Sequence, residues 1–284
     1  MQTLKMVIPK GRIYTRVVNL LNDAGFGIEA DDRVYVPTVE DKEIEAKIMK
    51  PQNIPKLLEL GSHDIGFTGH DWVVETGADV VEVMDLGFDR VKIVAAVPID
   101  FVDTNMKSRK IVVASEYETI ASAYLDKQGY DYILLRTFGA TEVFPPDDAD
   151  MIIDNTSTGR TLKENNLHIV DTVMKSSTCF VANKEAMNDP WKREKIDEIK
   201  MLLQSVLDAR SRVMLEMNIP KDRLDDVVKQ VPAMRSPTVA PLYGDQGFAV
   251  KIAVARNEVV KLVPLLKKLG ATDILEYEIR KVVL

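Results

Sequence analysis

Apolar residues follow two different spacings along the first 180 residues of the chain, and each spacing predicts a different element. Short apolar runs bounded by turn residues, such as Leu4–Ile8 and Tyr132–Arg136, predict strands. Between them, apolar residues recur at helical spacing, as they do at Ile13, Val17, Leu20, Leu21 and Ala24. Strands that alternate with helices pair in parallel through right-handed crossovers, so the pattern predicts an α/β protein.

The predicted strands fall into two groups of five. The first group is Leu4–Ile8, Glu43–Met49, Asp64–Thr68, Val80–Leu86 and Val91–Val97. The second group is Lys110–Ala114, Tyr132–Arg136, Met151–Asp154, His168–Val173 and Ser177–Val181. No Gly/Ser-rich linker separates the groups, which favours two closely packed lobes with a cleft. We expect residues 1–98 and 183–210 to form lobe I, with a long helix after Asn183, and residues 99–182 to form lobe II.

The pattern changes after residue 210, and the last 74 residues predict a third, smaller domain. The order is strand (Arg212–Asn218), helix, edge strand (Ser236–Pro241), strand from Phe248, helix and a last strand around Tyr277. The turn at 244–247 joins the middle strands as a hairpin. This order is the ferredoxin-like βαββαβ unit, and we place the domain at 211–284.

Composition narrows the class of protein. The 284 residues carry a net charge of −7, whereas a general nucleic-acid binder carries a basic excess. The single cysteine, Cys179, excludes an intrachain disulfide framework and a cysteine-rich metal site. The chain shows no signal-peptide pattern and no run of 18 apolar residues, so we expect a cytoplasmic protein without a membrane partner.

The stretch from Asp150 to Leu162 contains the most informative chemistry. An apolar strand ends at Asp154, and the small residues Thr156–Gly159 follow, before Arg160 and Thr161. Small residues let successive backbone N–H groups converge on an anion, so this layout is typical of a phosphate-binding loop. The same composition is also typical of an ordinary turn with a helix cap. It lacks the Gly-Lys-Ser/Thr ending of the nucleotide P-loop.

Six motifs in order resemble one known family over essentially the full length, namely ATP phosphoribosyltransferase in its long, histidine-regulated form. The motifs are Ile8–Arg12, Lys50–Pro55, Asp64–Asp71, Asp85–Phe88 before Val94–Pro98, Asp154–Leu167, and Ser236–Leu242 with Gly270–Leu275. Each motif alone is weakly specific, but all six in order are strongly so.

The resemblance implies a fold and an activity. The fold would be a two-lobed catalytic region similar to type II periplasmic binding proteins, followed by a ferredoxin-like regulatory domain. The activity would be the first step of histidine biosynthesis, in which ATP and phosphoribosyl pyrophosphate give phosphoribosyl-ATP and pyrophosphate. Such chemistry needs aligned substrates and a charge sink for the leaving group, and Mg²⁺ would bridge the pyrophosphate oxygens.

The resemblance also implies roles for individual residues. The 5′-phosphate would lie in a cradle formed by Thr156, Ser157, Thr158, Gly159, Arg160 and Thr161. Asp154 would face the ribose hydroxyls or the magnesium, and Asp71 is the second metal candidate. The phosphates of ATP or the leaving group would meet Lys10, Arg12 and Lys50.

Several of these residues have simpler interpretations. Lys10 and Arg12 could be solvated turn residues, and Asp71 could cap the helix that follows it. Lys50 stands where the family commonly has Arg, and Lys lacks the bidentate fork of a guanidinium. The three histidines lack metal-ligand spacing and are interpreted as structural residues.

The C-terminal domain would bind histidine as a feedback inhibitor. The motif positions that could contact it are Asn218, Thr238, Ala253 and Asp273. Asp273 is the charged acceptor for the ligand ammonium. Regulatory domains of this kind act through subunit contacts, so we expect a homo-oligomer, with a dimer and a hexamer as its states.

The alternative function is a non-catalytic two-lobed small-molecule sensor with the C-terminal domain as its output. It explains the fold, but it explains neither the phosphate cradle nor the acidic residues predicted on both lobes.

Overall fold

The computed structural model describes residues 2–29 and 34–284, which form 16 strands and nine α-helices. They divide into two compact units, Met1–Asn19 with Phe26–Asp197, and Leu20–Gly25 with Glu198–Leu284. Across the described ranges, no helix combines the length and the hydrophobicity that a membrane crossing requires.

The elements alternate along the chain as the hydrophobic pattern predicts. The first are β1 (Leu4–Pro9), α1 (Tyr14–Ala24), β2 (Ile28–Glu29), β3 (Thr38–Val39), β4 (Ile44–Met49), α2 (Ile54–Glu59), β5 (Ile65–Gly69), α3 (His70–Thr76) and β6 (Val80–Asp85). Next come β7 (Val91–Pro98), β8 (Ile111–Ser115), α4 (Glu118–Gln128), β9 (Tyr132–Arg136), β10 (Met151–Thr156), α5 (Arg160–Glu164), β11 (Leu167–Ser176) and β12 (Thr178–Asn183). The last are α6 (Lys184–Asn188), α7 (Pro190–Arg210), β13 (Arg212–Ile219), α8 (Leu224–Gln230), β14 (Thr238–Pro241), β15 (Phe248–Ala255), α9 (Val259–Lys268) and β16 (Thr272–Glu278).

Two five-stranded sheets of the first unit form the two predicted lobes, and they share one topology. Their orders are β4-β1-β5-β12-β6 and β9-β8-β10-β7-β11. In each sheet the first strand of the lobe lies between the second and third in parallel pairing, and one strand from elsewhere in the chain inserts antiparallel. Parallel strands end at the same edge, so each sheet presents a cluster of strand-end loops.

The inserted strands correct the predicted lobe boundaries at residues 98/99 and 182/183. β7 was expected in lobe I and belongs to the second sheet, where it pairs with β10 and β11. β12 was expected almost entirely in lobe II and belongs to the first sheet, between β5 and β6. The chain therefore changes lobe before β7 and again after β11. A buried apolar strand carries no local signal of its partners, so the pattern could not assign either strand to a sheet.

Small apolar cores hold the loops in place. On the first sheet, α2 packs Ile54 and Leu58 against Val7 and Val181, and the buried Cys179 joins the same cluster. The long helix expected after Asn183 is divided instead, because Pro190 begins a new helix.

The C-terminal sheet has the order β14-β15-β13-β16, and its strands and helices follow the βαββαβ sequence. β13 alternates strictly, with Val213, Leu215, Met217 and Ile219 buried. β14 lies at the edge, as its prolines predict. The predicted α/β class is confirmed, with two like sheets in the first unit and a ferredoxin-like order of strands and helices in the C-terminal domain.

Candidate active site

Loops from both sheets of the first unit line one cavity of about 190 Å³. Its wall includes Lys10, Arg12, Asp71, Glu116, Tyr117 and Asn155. Lys10 and Arg12 follow β1, Asp71 lies at the start of α3, and Asn155 lies at the end of β10. The strand ends thus bring together residues that are up to 145 positions apart in the sequence.

A buried chain of hydrogen bonds crosses this cavity from one lobe to the other. Tyr117 donates its hydroxyl proton to Asp71 Oδ2 over 2.7 Å, and Asn155 Nδ2 donates to the Tyr117 oxygen over 3.1 Å. Asn155 Nδ2 also lies 3.2 Å from Asp154 Oδ1. Trp72 stacks on the Tyr117 ring at 4.7 Å between centroids. Burial and the Asp71 charge raise the pKa of Tyr117, so the phenol stays protonated and remains a donor.

Both carboxylate oxygens of Asp71 take part in hydrogen bonds. Asp71 is 5% exposed, and Ser176 donates its hydroxyl proton to Oδ1 over 2.6 Å while Tyr117 occupies Oδ2. The predicted helix cap is formed the other way round, because the Asp71 backbone N–H donates to the Ser176 hydroxyl. Asp71 therefore anchors Tyr117 of the opposite lobe.

Asp154 has a different environment from Asp71. Burial, with smaller contributions from the nearby carboxylates of Glu116 and Glu142, raises its pKa to about 6, although a 2.6 Å hydrogen bond from the Asn155 backbone N–H opposes the shift. Burial likewise raises the pKa of Glu116. A positively charged group or a hydroxyl donor beside Asp154 would relieve this destabilised carboxylate.

The magnesium pair Asp71 and Asp154 stays a prediction, and the structure shows what surrounds its two carboxylates. Within residues 2–29 and 34–284, no group of three or more His, Cys, Asp and Glu side chains could hold a metal ion. Both oxygens of Asp71 already accept hydrogen bonds from buried or partly buried donors. Asp71 and Asp154 are connected only through Tyr117 and Asn155, so a shared ion would have to displace that chain.

The segment after Asp154 forms a tight turn whose hydroxyls bond to its own backbone. The Gly159 N–H donates to Thr156 Oγ1 over 2.9 Å, and the Arg160 N–H lies 3.4 Å from Thr158 Oγ1. Gly159 has φ of 76°, which favours glycine. Ser157, Thr158 and Thr161 are exposed, and the Arg160 side chain points to Glu164 at 2.7 Å.

A second cavity, of about 650 Å³, adjoins the first, since Val91, Ser176 and Ser177 line both. Ser157 of the turn lies in its wall together with three basic residues, Arg90, Lys92 and Lys175. None of the three forms an ion pair with another described residue. No local sequence pattern predicts this cluster, because Lys92 and Lys175 become neighbours only through the register of β7 with β11.

Of the predicted basic residues, Lys10 and Arg12 share the first cavity, whereas Lys50 lies outside it. Lys10 Nζ lies 3.1 Å from the Tyr35 hydroxyl and above its ring. Lys50 lines a third cavity together with Gln52 and Glu116. His70, interpreted as structural, lies 2.9 Å from Glu82 in the wall of the second cavity.

The structure brings together two of the four predicted histidine-binding positions. Asn218 Nδ2 donates to Asp273 Oδ2 over 2.9 Å, and the Thr272 hydroxyl donates to the same oxygen. These two hydrogen bonds lower the pKa of Asp273. Thr238 and Ala253 lie on β14 and β15, on the side of β13 away from β16.

Comparisons with known proteins agree over the whole chain. The family model described as "HisG: ATP phosphoribosyltransferase" matches residues 50–205, and that described as "HisG, C-terminal domain" matches residues 209–281. The ATP phosphoribosyltransferase of Pelodictyon phaeoclathratiforme is 41% identical over 288 residues, which cover 99% of this chain and 98% of the relative. That of Pelotomaculum thermopropionicum is 39% identical over 289 residues, 99% of each chain.

A solved structure matches more than two thirds of the chain. It is described as "ATP phosphoribosyl transferase (HisG:HisZ) complex from Thermotoga maritima". The TM-score is 0.63 at 28% identity, and the match covers 71% of this chain and 99% of that one.

Fold and comparisons together define a pentosyltransferase with a two-lobed α/β region and a ferredoxin-like C-terminal domain. Within that class, the chain belongs to the ATP phosphoribosyltransferase family, in the long form that carries the C-terminal HisG domain. The resemblance seen in the six motifs is confirmed, and family membership favours the enzyme over the non-catalytic sensor.

Proposed function

We propose that the protein transfers the phosphoribosyl group of phosphoribosyl pyrophosphate to ATP, the first step of histidine biosynthesis. The observation that carries the proposal is the continuity of the two cavities. One contains Lys10, Arg12 and Asn155, and the other contains Ser157 of the phosphate-type turn and three unpaired basic residues. Two polyanionic substrates can therefore meet between Asn155 and the turn that follows it.

The turn Thr156–Thr161 is proposed to hold the 5′-phosphate. Its exposed Ser157 and Thr158 offer hydroxyl donors, and the left-handed Gly159 lets the backbone fold around an anion. In the free protein, Thr156 and Thr158 accept hydrogen bonds from the turn itself, so binding would exchange these partners for phosphate oxygens.

The basic residues around the cavities are proposed to stabilise the leaving pyrophosphate and the triphosphate of ATP. Arg12 lies in the first cavity without a partner among the described residues, and Arg90, Lys92 and Lys175 extend the positive surface into the second. Charge that develops on the departing oxygens is stabilised by cations already in position. Lys50 is expected to contribute least to this stabilisation, because the Glu116 carboxylate lies near its charge.

Asp154 is proposed to face the ribose hydroxyls of the donor. Magnesium would bridge the pyrophosphate oxygens, with one or both of the Asp71 and Asp154 carboxylates as its protein ligands. A positive charge near Asp154 would favour its ionised form, which burial disfavours.

Histidine is proposed to inhibit the enzyme by binding to the C-terminal domain near Asn218 and Asp273. The Asp273 carboxylate, held by Asn218 and Thr272, is the acceptor for its ammonium group. Regulation would act through contacts between copies of the chain, in a dimer and a hexamer.

The reaction is tested by mixing the protein with ATP, phosphoribosyl pyrophosphate and Mg²⁺ in the presence of pyrophosphatase, and following adenine absorbance. We expect turnover in the wild type and at least a tenfold loss of kcat/KM in Arg12→Gln. Arg193→Gln, which removes an exposed Arg–Asp pair of α7, is the matched control and should retain wild-type rates. Absence of turnover in the wild type would refute the proposed function.

A further inference from the structure

Three residues that line the first cavity each carry a buried polar atom without a hydrogen-bond partner. These atoms are Gln52 Oε1, Asp89 Oδ2 and Thr178 Oγ1. Among the described residues, only one other buried side-chain nitrogen or oxygen, Arg212 Nε, lacks a partner. An unsatisfied buried polar atom is costly, and the concentration of three around one cavity indicates a ligand that pairs with them.

Asp89 lines this cavity and has a strained backbone. Its φ is +50°, in the left-handed region that non-glycine residues seldom adopt. The side chain is only 9% exposed, and Oδ1 lies 3.5 Å from Arg16 Nη1. Oδ1 is thus engaged by a cation, while Oδ2 is buried without a hydrogen-bond partner.

The three atoms define the chemistry of the missing partner. Gln52 Oε1 and Asp89 Oδ2 only accept hydrogen bonds, and the Thr178 hydroxyl can donate one. A ligand with two N–H donors on one atom and a nearby ring nitrogen satisfies all three. Adenine has this pattern in its exocyclic amino group and N7, whereas guanine presents an oxygen in place of the amino group.

We propose that Asp89 and Gln52 bind the exocyclic amino group of the ATP base, and that Thr178 donates to a ring nitrogen. This inference rests on the proposed function and names the residues that select the base. N1 forms its bond to the ribose C1′ while the bond from C1′ to the pyrophosphate oxygen breaks, and that electron pair leaves with pyrophosphate. The purine then carries a positive charge shared with its amino group, and the Asp89 carboxylate stabilises that charge.

The test compares ATP with purine riboside triphosphate, which lacks the amino group and keeps N1. The variants are Asp89→Asn and Gln52→Met, with Asp103→Asn as a matched change at an exposed carboxylate. Asparagine tolerates positive φ, so Asp89→Asn preserves the backbone. We expect the wild type to prefer ATP in kcat/KM by two or more powers of ten, because a site built to bind a polar group rejects an analogue without it.

Asp89→Asn and Gln52→Met should each reduce that preference at least tenfold, mainly by losing activity with ATP, and Asp103→Asn should leave it unchanged. The same ratio measured for 2′-deoxy-ATP distinguishes the amino group from a sugar hydroxyl as the partner. Equal losses with ATP and with the analogue, or a shift seen only for 2′-deoxy-ATP, would overturn the assignment.

Binding of the two nucleotides without phosphoribosyl pyrophosphate, followed by calorimetry, keeps this test separate from catalysis. We expect Asp89→Asn to weaken ATP at least tenfold and purine riboside triphosphate less than threefold. If the wild type bound ATP with this selectivity and did not turn it over, the proposed function would fail while the base assignment stood. Turnover with unaltered base selectivity in Asp89→Asn would give the opposite result.

Discussion

At the scale of single residues, the pKa values of two aspartates, one just before β10 and one within it, shift in opposite directions. Asp150, just before β10, accepts two hydrogen bonds from the Arg109 guanidinium, which lower its pKa. Asp154, four residues later, is buried near Glu116 and Glu142, and its pKa rises to about 6. The first carboxylate therefore stabilises the fold when it is ionised, and the second destabilises it.

The stability of the folded protein should depend on pH through Asp154. A folded-state pKa above the unfolded value means that wild-type stability falls as pH rises from about 4 to about 6 through Asp154. Asp154→Asn should therefore unfold with a free energy higher by about 3 kcal/mol at pH 8 and by only about 1 kcal/mol at pH 4.5. Urea unfolding at both pH values measures this.

Asp150→Asn is the control for that experiment and should show the opposite sign. The pKa of Asp150 is lower in the folded than in the unfolded protein, so its carboxylate stabilises the fold at pH values above the unfolded-state pKa. The Asn variant should therefore be less stable than the wild type at pH 8. A loss of stability in Asp154→Asn at pH 8 would show that its carboxylate is not destabilised.

At the scale of elements, the ends of strands and helices position the site. The turn after β10 depends on the left-handed Gly159, and α3 of one lobe caps α4 of the other. Glu75 on α3 accepts the N–H groups of Thr119 and Ile120 at 3.0 Å each, at the N-terminus of α4. A carboxylate at that position satisfies two unpaired donors and the helix dipole together.

Gly159→Ala should impair the proposed phosphate turn. Space is available, since the added Cβ would meet only Ile169 Cδ1 at 3.7 Å, but φ of 76° disfavours alanine by about 1–2 kcal/mol. We expect the KM for phosphoribosyl pyrophosphate to rise about tenfold while the KM for ATP changes little. Gly129→Ala, with φ of 73° at the far end of α4, is the matched control. Equal effects of both variants would indicate general strain only.

Glu75→Gln should weaken the cap between the lobes. A glutamine oxygen accepts one N–H, but its amide nitrogen faces the other, so we expect a loss of about 1–2 kcal/mol in unfolding free energy. Glu118→Gln, which removes only an exposed pair with Arg136, should cost less than about 1 kcal/mol. Denaturant unfolding of both variants at one pH compares them, and equal costs would show that the cap adds nothing.

At the scale of the whole molecule, the chain joins a catalytic region of two like lobes to a ferredoxin-like domain. The lobes have the same strand order, and each receives one antiparallel strand from a part of the chain outside its own run of parallel strands. The C-terminal domain has its own buried core, which includes Val213, Leu215 and Leu266. A ligand of that domain can therefore change its packing without unfolding the catalytic region.

Asp273→Asn should relieve histidine inhibition in the full-length protein. Removing the charge that would bind the ammonium should raise the histidine concentration for half inhibition at least tenfold, with kcat unchanged. Asp245→Asn is a matched control, because Asp245 also has positive φ, at 58°, and lies in the same domain. Unaltered inhibition in Asp273→Asn would place the histidine ammonium elsewhere.

The hydrophobic pattern determined most of the elements, because the strand and helix periods are local properties of the chain. Tyr132–Arg136 was predicted with the bounds that the structure has, and the βαββαβ order was readable from turns and prolines. The motif at Asp154–Thr161 could be singled out as well, since small polar residues after an apolar strand are a local signal.

Only the tertiary structure decided which strands share a sheet and which side chains meet. β7 and β12 each lie in the other lobe from the one predicted. Their hydrogen-bonding partners, β10 and β5, are far away in sequence, so the local pattern could not assign them. The bonds from Asp71 through Tyr117 to Asn155, and the three unpaired atoms of Gln52, Asp89 and Thr178, likewise join distant positions. Burial and partners set the charge state and availability of each group, and these arise only when the chain is folded.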